Sequence, residues 1–391
     1  MLCFLALLCF QIYAEPDTSF TRVSTIRFNS GEDDIYPAVI DPRGQYAYFG
    51  TWTYPQGQVI KVDLSSFTRV SSISLADASY LRSAVIDPSG QYAYFGNDHR
   101  KVIKVDLTNF TQVGSISFNS GEGGLYSAAI DPRGQYAYFG TDTGLVVKVN
   151  LENFTRVDSI RFNQGEDLLM SEVIDPRGQY AYFGTRTGRV VKVDLANFTR
   201  VSSISFDPGE IYLQSAVIDP SGQYAYFGSS NAPFATSSPG LVIKVDLENF
   251  TRVGSISFNP GEDRLSSAVI DPSGQYAYFG TDTGRVVKVD LVNFTRVNSI
   301  CFNKGEDSLW SAVIDPNGNY AYFGTHTSPS QVIKVSLKSG NIINSNPSNP
   351  LSDSGGNVGG MSIFLLIAGG LVFLVLIAVA FFLLKGRKHK K

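Results

Sequence analysis

The chain has 391 residues, of which 43% are hydrophobic and 13% aromatic, with 37 Gly and 17 Pro. This composition favours many short strands joined by tight turns and leaves little room for helices, so we expect an all-β fold. Five of the 32 Lys and Arg residues end the chain at 385–391, and the other 27 face 35 Asp and Glu, which argues against a nucleic-acid partner.

The N-terminal fourteen residues, MLCFLALLCFQIYA, are apolar and too short to span a bilayer. They predict a signal peptide at 1–14 that is cleaved after Ala14, although a mis-started or buried N-terminus would leave the same pattern. Cys3 and Cys9 would depart with it and leave Cys301 alone, so no intramolecular disulfide could close the mature domain.

A single unit repeats from about residue 20 to residue 337. Each unit divides into four strand-like runs, here named a to d, joined by turns such as Asp-Pro-x-Gly (a–b) and Asn-Phe-Thr (c–d). Four-stranded units that pack around an axis form a β-propeller, so we predict a seven-bladed β-propeller ectodomain at 15–337. An Ile-Asp-Pro motif marks the seven units, with Asp at 41, 87, 131, 175, 219, 271 and 315.

The two ends of the repeat region complement each other. The chain begins with a lone strand d, FTRVSTIRF at 20–28, and leaves after a strand c, QVIKVSL at 331–337. We expect the N-terminal strand to complete the last blade, which removes two open sheet edges without a disulfide. An open β-solenoid is the alternative that this complementarity disfavours.

The units IDPSGQYAYFGT and VVKVDL resemble the YVTN-type repeats of seven-bladed propellers, whose architecture is related to NHL and WD-repeat propellers. The resemblance covers roughly residues 20–337 and implies the fold rather than a function, because propellers serve as binding proteins and as enzymes. The strand Tyr-Ala-Tyr-Phe-Gly departs from the Tyr-Val-Tyr-Val-Thr-Asn-like strand of that family.

The C-terminal region predicts a membrane anchor. Residues 338–360 are rich in Asn, Ser, Pro and Gly, which is typical of a flexible stalk. The 24 uncharged residues at 361–384 would form a helix of about 36 Å, enough to cross a hydrocarbon core of about 30 Å. The basic tail at 385–391 places that end in the cytoplasm, so we expect a single-pass plasma-membrane protein with an extracellular N-terminus.

Five of the c–d turns carry an Asn-Phe-Thr sequon, which on the surface of a secreted domain predicts N-glycosylation. Asn is also a favourable turn residue, so gene duplication alone could have spread it. The c–d turns lie on one face of the propeller, which we name the lower face. The d–a and b–c loops lie on the opposite face, which we name the upper face. The predicted glycosylation sites are Asn109, Asn153, Asn197, Asn249 and Asn293.

Variation among the units concentrates on the upper face. The position after the invariant Ile or Leu of strand a differs from blade to blade, and near the channel mouth it is a candidate recognition surface. A tolerant loop position would vary in the same way. The seven residues are Tyr36, Arg82, Tyr126, Met170, Gln214, Ser266 and Trp310.

Two further features mark this face. Trp52 and Trp310, the only tryptophans, fall on adjacent blades 1 and 7, where they could form an exposed binding sector or buried plugs. Glu172 replaces an Ala found in the other six units, and we expect it at a hydrated channel edge. Thirteen acidic residues of the d–a loops are interpreted as a solvated surface, since none has calcium-loop spacing.

The sequence therefore favours a non-catalytic recognition or adhesion protein that binds an extracellular protein or carbohydrate through Trp310, Trp52, Tyr36, Tyr126, Arg82, Glu172 and Gln214. No metal site, cofactor or catalytic set is predicted, because His99 and His326 lie on blades that are not neighbours. The alternatives are a membrane-tethered enzyme, lactonase-like or quinoprotein-like as the YVTN resemblance implies, and a structural coat protein.

Overall fold

The computed structural model describes residues 20–76, 78–230 and 239–337. These residues form twenty-eight strands in seven antiparallel sheets of four, the blades of a propeller. The predicted signal peptide, stalk, membrane helix and basic tail lie outside the described residues. Within the described ranges, no helix is long and apolar enough to cross a membrane.

The strands of each blade run in the order a, b, c, d from the inside outward. Blades 1 and 2 are β2 (Ile35–Ile40), β3 (Tyr46–Thr51), β4 (Gln58–Asp63), β5 (Thr68–Ser74), and β6 (Leu81–Ile86), β7 (Tyr92–Asn97), β8 (Lys101–Asp106), β9 (Thr111–Ser117). Blades 3 and 4 are β10 (Leu125–Ile130), β11 (Tyr136–Thr141), β12 (Leu145–Asn150), β13 (Thr155–Arg161), and β14 (Leu169–Ile174), β15 (Tyr180–Thr185), β16 (Arg189–Asp194), β17 (Thr199–Ser205). Blades 5 and 6 are β18 (Leu213–Ile218), β19 (Tyr224–Ser229), β20 (Leu241–Asp246), β21 (Thr251–Ser257), and β22 (Leu265–Ile270), β23 (Tyr276–Thr281), β24 (Arg285–Asp290), β25 (Thr295–Cys301). Blade 7 is β26 (Leu309–Ile314), β27 (Tyr320–Thr325), β28 (Gln331–Ser336) and β1 (Thr21–Arg27).

Blade 7 is closed by the two ends of the repeat region, as predicted. β1 pairs antiparallel with β28, from Thr21 opposite Ser336 to Arg27 opposite Gln331. The clasp extends to the neighbouring blade, because the Phe20 ring lies 5.5 Å from the ring of Tyr278 on blade 6. The ring of blades is therefore completed by backbone pairing and aromatic packing.

The a strands surround a central channel, and their side chains alternate between the blade interfaces and that channel. In β2, Ile35, Pro37 and Val39 are buried, whereas Tyr36, Ala38 and Ile40 are partly exposed. Successive channel-facing positions form three rings from the upper to the lower face. The first ring is Tyr36, Arg82, Tyr126, Met170, Gln214, Ser266 and Trp310; the second is Ala38, Ala84, Ala128, Glu172, Ala216, Ala268 and Ala312; the third is Ile40, Ile86, Ile130, Ile174, Ile218, Ile270 and Ile314.

The lower face repeats the same contacts around the propeller. In the first Asp-Pro-x-Gly turn, the Asp41 carboxylate accepts a hydrogen bond from the Arg43 amide at 2.8 Å and a second from the Tyr46 amide. Gly44 has φ of +67°, and a Cβ there would lie 2.7 Å from Pro316 of the preceding blade. Glycine is therefore required both by the turn and by the close packing of blades.

Phenylalanine of the c–d turns also joins adjacent blades. Phe154 has a positive φ of 50°, and its ring packs 5.6 Å from Tyr94 of the preceding blade. Phe67 of blade 1 makes the matching contact with Tyr322 of blade 7, at 5.8 Å. The uncommon backbone conformation is retained because it directs a large apolar ring into the blade interface.

Six of the thirteen d–a loop acids, all glutamates, form buried ion pairs, which corrects the expectation of a solvated surface for these six. Glu166 is 1% exposed, and its carboxylate accepts hydrogen bonds from Arg200 at 2.5 and 2.8 Å and from Ser203 at 2.6 Å. Burial alone would raise the pKa of Glu166, but bonds from Arg200, Ser203 and the Asn163 amide outweigh it and lower the pKa. Equivalent buried glutamates pair with strand-d arginines as Glu32–Arg69, Glu122–Arg156, Glu210–Arg252, Glu262–Arg296 and Glu306–Arg22.

Blade 2 shows why these pairs occur together. The loop that leads into it has no glutamate, and strand β9 carries Gln112 where the other d strands carry arginine. The Gln112 amide oxygen instead accepts a hydrogen bond from the Ala76 backbone amide at 2.8 Å. In blade 2 both members of the ion pair are therefore absent, so neither a buried glutamate nor an arginine is left without its partner.

Candidate functional site

The first ring brings together all seven variable residues of strand a at the upper end of the channel. They enclose a cavity of about 130 Å³. Each occupies the same register position on its strand, so the cavity wall changes chemistry from blade to blade while the backbone repeats. Aromatic and guanidinium groups lie on blades 7, 1, 2 and 3, and Met170, Gln214 and Ser266 lie on blades 4 to 6.

Arg82 lies at the centre of the aromatic side of this ring. Its guanidinium carbon lies 4.4 Å from the ring centroid of Tyr126, 4.8 Å from that of Tyr36 and 5.0 Å from that of Trp52. Its Nε donates a hydrogen bond of 2.6 Å to Asp98 on the same blade. Cation–π contacts and one carboxylate thus hold the guanidinium in place.

Trp310 is fixed by contacts on three sides. Its ring stacks on His326 at 4.1 Å, the Tyr36 ring meets it edge-on at 5.0 Å, and its Nε1 donates a 2.8 Å hydrogen bond to Asp282. Trp310 is partly exposed, so it is neither a fully buried plug nor a freely exposed anchor.

Trp52 continues this array across blades 1 and 2. Its ring lies 5.9 Å from His326 and 4.8 Å from Tyr80, and its Nε1 donates a 3.1 Å hydrogen bond to Asp98. Tyr54 stacks on Tyr80 at 5.9 Å and is 73% exposed. We name Trp310, His326, Tyr36, Trp52, Tyr80 and Tyr54, together with Arg82, the aromatic cluster.

The first residue of each b–c loop forms an outer circle, which we name the rim. Rim carboxylates hold the residues below them: Asp282 accepts hydrogen bonds from Trp310 and from Ser266, the latter at 2.6 Å. Burial raises the pKa of Asp142. The rim residues are Trp52, Asp98, Asp142, Arg186, Ser230, Asp282 and His326.

Sequence reasoning did not include the rim acids, Tyr80 or His326 in the site. The signal was available, because the rim position also varies between blades, with five residue types at seven positions. His326 is enclosed between the two tryptophans, and burial lowers its pKa despite Asp34, whose carboxylate is 3.4 Å from Nδ1. Trp52 and Tyr80 also connect His326 to His99, whose ring lies 5.8 Å from Tyr80, although the two histidines are on non-adjacent blades.

Glu172 faces the channel, where the residue is partly exposed. It belongs to the second ring, one level below Met170, and burial raises its pKa well above the ordinary range despite a long 3.4 Å hydrogen bond from Ser127 to Oε2. Its Oε1 is buried and has no hydrogen-bond partner among the described residues.

The lower face holds the five predicted glycosylation sites. All five asparagines are exposed at c–d turns, away from the first ring and the rim. In the described residues, no group of three or more His, Cys, Asp and Glu side chains is placed to hold a metal ion.

Comparisons with known proteins support the fold and leave the site unassigned. No family model and no curated protein matches the chain. Among solved structures, a chain from Kuenenia stuttgartiensis hydrazine synthase is similar with a TM-score of 0.66, over 81% of this chain and 97% of that one, at 15% identity. Identity this low shows the propeller fold alone, and the YVTN-type resemblance stays a prediction.

Proposed function

We propose that the chain is a single-pass cell-surface propeller that acts as a non-catalytic recognition module. Its ligand, an extracellular protein or carbohydrate, binds at the upper face around the aromatic cluster. The anchor and the YVTN-type relationship are part of this proposal and rest on the sequence alone. The argument for recognition rests on the side chains that the propeller assembles at blades 7, 1 and 2.

The observation that carries the proposal is a continuous array of aromatic rings next to a cation. Trp310, His326, Trp52, Tyr80 and Tyr54 contact one another in succession at 4.1 to 5.9 Å. Aromatic and arginine side chains held rigidly by neighbours are the residues that dominate binding surfaces, since little entropy is lost when a ligand covers them. The repeat itself does not require Trp310, Trp52 or His326, because blades 4 to 6 have no aromatic residue in the first ring or in the rim.

The orientation of the propeller supports access to this face. Leu337, the last described residue, donates a backbone hydrogen bond of 2.9 Å to Asn319 in the lower-face turn of blade 7. A stalk that begins at 338 would therefore leave from the lower face. In this proposal the sequons lie on the side towards the membrane, and the aromatic cluster faces away from it.

The test is a glycan and protein array probed with the soluble ectodomain, residues 15–345. We expect a ligand whose binding weakens by about 30-fold to 900-fold with Trp310→Ala, equivalent to about 2 to 4 kcal/mol. Val292→Ala provides a control, since Val292 is 74% exposed on a lower-face turn.

The same set of variants separates the alternatives. A structural coat protein would show self-association that Trp310→Ala leaves unchanged, whereas an enzyme would convert an arrayed compound rather than retain it. Equal loss of binding with Trp310→Ala and Val292→Ala would contradict recognition at the upper face.

A further inference from the structure

Three residues that line the channel have a buried side-chain oxygen without a hydrogen-bond partner among the described residues: Glu172, Gln214 and, on blade 7, Ser311. Oε1 of Glu172 and Oε1 of Gln214 are both buried without a partner among the described residues. They belong to adjacent blades, in the second and first rings respectively, and both residues line one cavity of about 240 Å³. A buried acceptor without a donor costs free energy, and a donor supplied from outside the chain, a water or a ligand, would offset that cost.

Ser127 departs from its counterparts in the same place. In blades 2, 4, 5 and 6 the equivalent serine donates to a leucine carbonyl of the next blade, as Ser171 does to Leu213 at 2.7 Å. Ser127 is instead directed to Glu172 Oε2 on the next blade, at 3.4 Å. Three oxygen-bearing groups from blades 3, 4 and 5 therefore face one cavity, and Glu172 is the residue that distinguishes this sector from the alanine of the other six blades.

The surroundings of this cavity suit a small cation with an apolar part. The first ring above it provides Tyr36, Tyr126 and Trp310, which also line the cavity. Ion pairs match Arg82 with Asp98, Arg186 with Asp167 and Arg264 with Asp282, and the rim adds the Asp142 carboxylate to these. An acidic rim attracts cations, and aromatic faces stabilise them.

We propose that the channel binds a small primary ammonium compound, with its NH₃⁺ group at Glu172, Gln214 and Ser127 and its apolar part among the first-ring aromatics. Three N–H groups match these three oxygen-bearing groups. Calcium requires six to eight oxygen ligands, which this sector does not provide. The cavity volume of about 240 Å³ is well above the roughly 10 to 15 Å³ that a single water molecule needs.

This inference does not depend on the recognition proposal, because it concerns a site inside the channel and needs no macromolecular partner. The experiment uses the ectodomain 15–345, whose propeller is closed by β1 and β28. Calorimetry and thermal melting at pH 7 are carried out with benzylammonium chloride, with neutral benzyl alcohol and with sodium chloride at matched ionic strength. We expect benzylammonium alone to bind and to raise the melting temperature.

The variants are Glu172→Gln, which keeps the size and removes the charge, and Glu172→Ala, which restores the residue of the other blades. Glu152→Gln is the matched control, because Glu152 is exposed on a lower-face turn. We expect Glu172→Gln to weaken benzylammonium binding by about 10-fold to 150-fold, the range for loss of a charged hydrogen bond, and Glu152→Gln to leave it unchanged. The proposal is overturned if benzylammonium does not bind, if benzyl alcohol binds equally well, or if Glu172→Ala retains full affinity.

Discussion

The lower and upper faces of the propeller differ in how strictly they repeat. On the lower face the Asp-Pro-x-Gly turn recurs in all seven blades with Pro replaced in none, and the strand-c lysine stacks on the first tyrosine of strand b at 3.9 to 4.3 Å in each. On the upper face the first ring carries six residue types at seven equivalent positions. The repeated residues are therefore those that close and pack the blades. The residues that differ between blades are ones that the fold does not need.

The departures also contact one another, which random drift at a tolerant position would not produce. Arg82, on blade 2, is the charged residue of the first ring and is surrounded by Tyr36, Trp52 and Tyr126 of blades 1 and 3. Asp98 bonds to Arg82 and to Trp52 at the same time. Differences between blades thus form a connected set of side chains on one sector of one face.

The largest expected effect follows from breaking the closure of the scaffold. Deleting residues 20–28 removes β1, exposes the edge of β28 and leaves Glu306 without Arg22. We expect aggregation or loss of cooperative unfolding, measured by size-exclusion chromatography and thermal melting.

A peptide of residues 20–28 added to the truncated ectodomain serves as the control for this deletion. It should restore part of the melting transition, because the clasp is noncovalent. A truncated protein that remains monomeric with an unchanged melting temperature would show that β1 does not close the propeller.

The next effect tests the repeated ion pairs. Glu166→Gln should lower the free energy of unfolding in urea by about 1.5 to 3 kcal/mol, whereas Glu152→Gln, at an exposed position, should change it by less than about 0.5 kcal/mol. Because the folded-state pKa of Glu166 lies below its ordinary value of 4.5, the pair stabilises fully above about pH 4.5.

That contribution is lost as the pH falls through the lowered pKa, since the carboxylate must then take up a proton. The difference between the wild type and Glu166→Gln should therefore shrink in acid. A difference that grew below pH 4.5 would contradict the role given to this pair.

A substitution in the second ring should increase the free energy of unfolding rather than decrease it. Glu172→Ala restores the repeated residue and removes a buried, unsatisfied carboxylate, so it should raise the free energy of unfolding at pH 7 by about 1 to 3 kcal/mol. Because burial raises the pKa of Glu172 above its ordinary value of 4.5, the residue lowers the stability of the folded state only at pH values above about 4.5. Urea denaturation at pH 7 and at pH 4 measures this, and destabilisation at pH 7 would mean that Glu172 is a structural residue.

The fold could be predicted closely because the same four-stranded unit occurs seven times in the sequence. The Asp-Pro-x-Gly turn occurs in all seven units and the Asn-Phe-Thr turn in five, and the lone strand at 20–28 left only one partner, the edge of 331–337. The repeat likewise predicted that Tyr36 and its six equivalents form one ring near the channel mouth, because they occupy the same position in every unit.

The site was predicted less completely, because its contacts join residues far apart in sequence. Asp98 and Asp282 belong to loops that look like ordinary turns, and only the closed ring places them against Trp52 and Trp310. Sequence spacing predicted that Glu172 faces the channel but not that its Oε1 atom is buried without a hydrogen-bond partner. The d–a glutamates were misread because their arginine partners lie 34 to 42 residues further on or, for Glu306, at the other end of the chain.

The most direct measurement compares stability and ligand affinity for the double variant Trp310→Ala, Trp52→Ala. Both side chains are partly exposed, so we expect cooperative unfolding with a smaller loss than the roughly 3 to 5 kcal/mol that a single core tryptophan costs. Affinity for the ligand found on the array should fall by at least about 30-fold. A double variant that folds normally and binds with unchanged affinity would contradict the claim that departures from the repeat on blades 7, 1 and 2 form the recognition site.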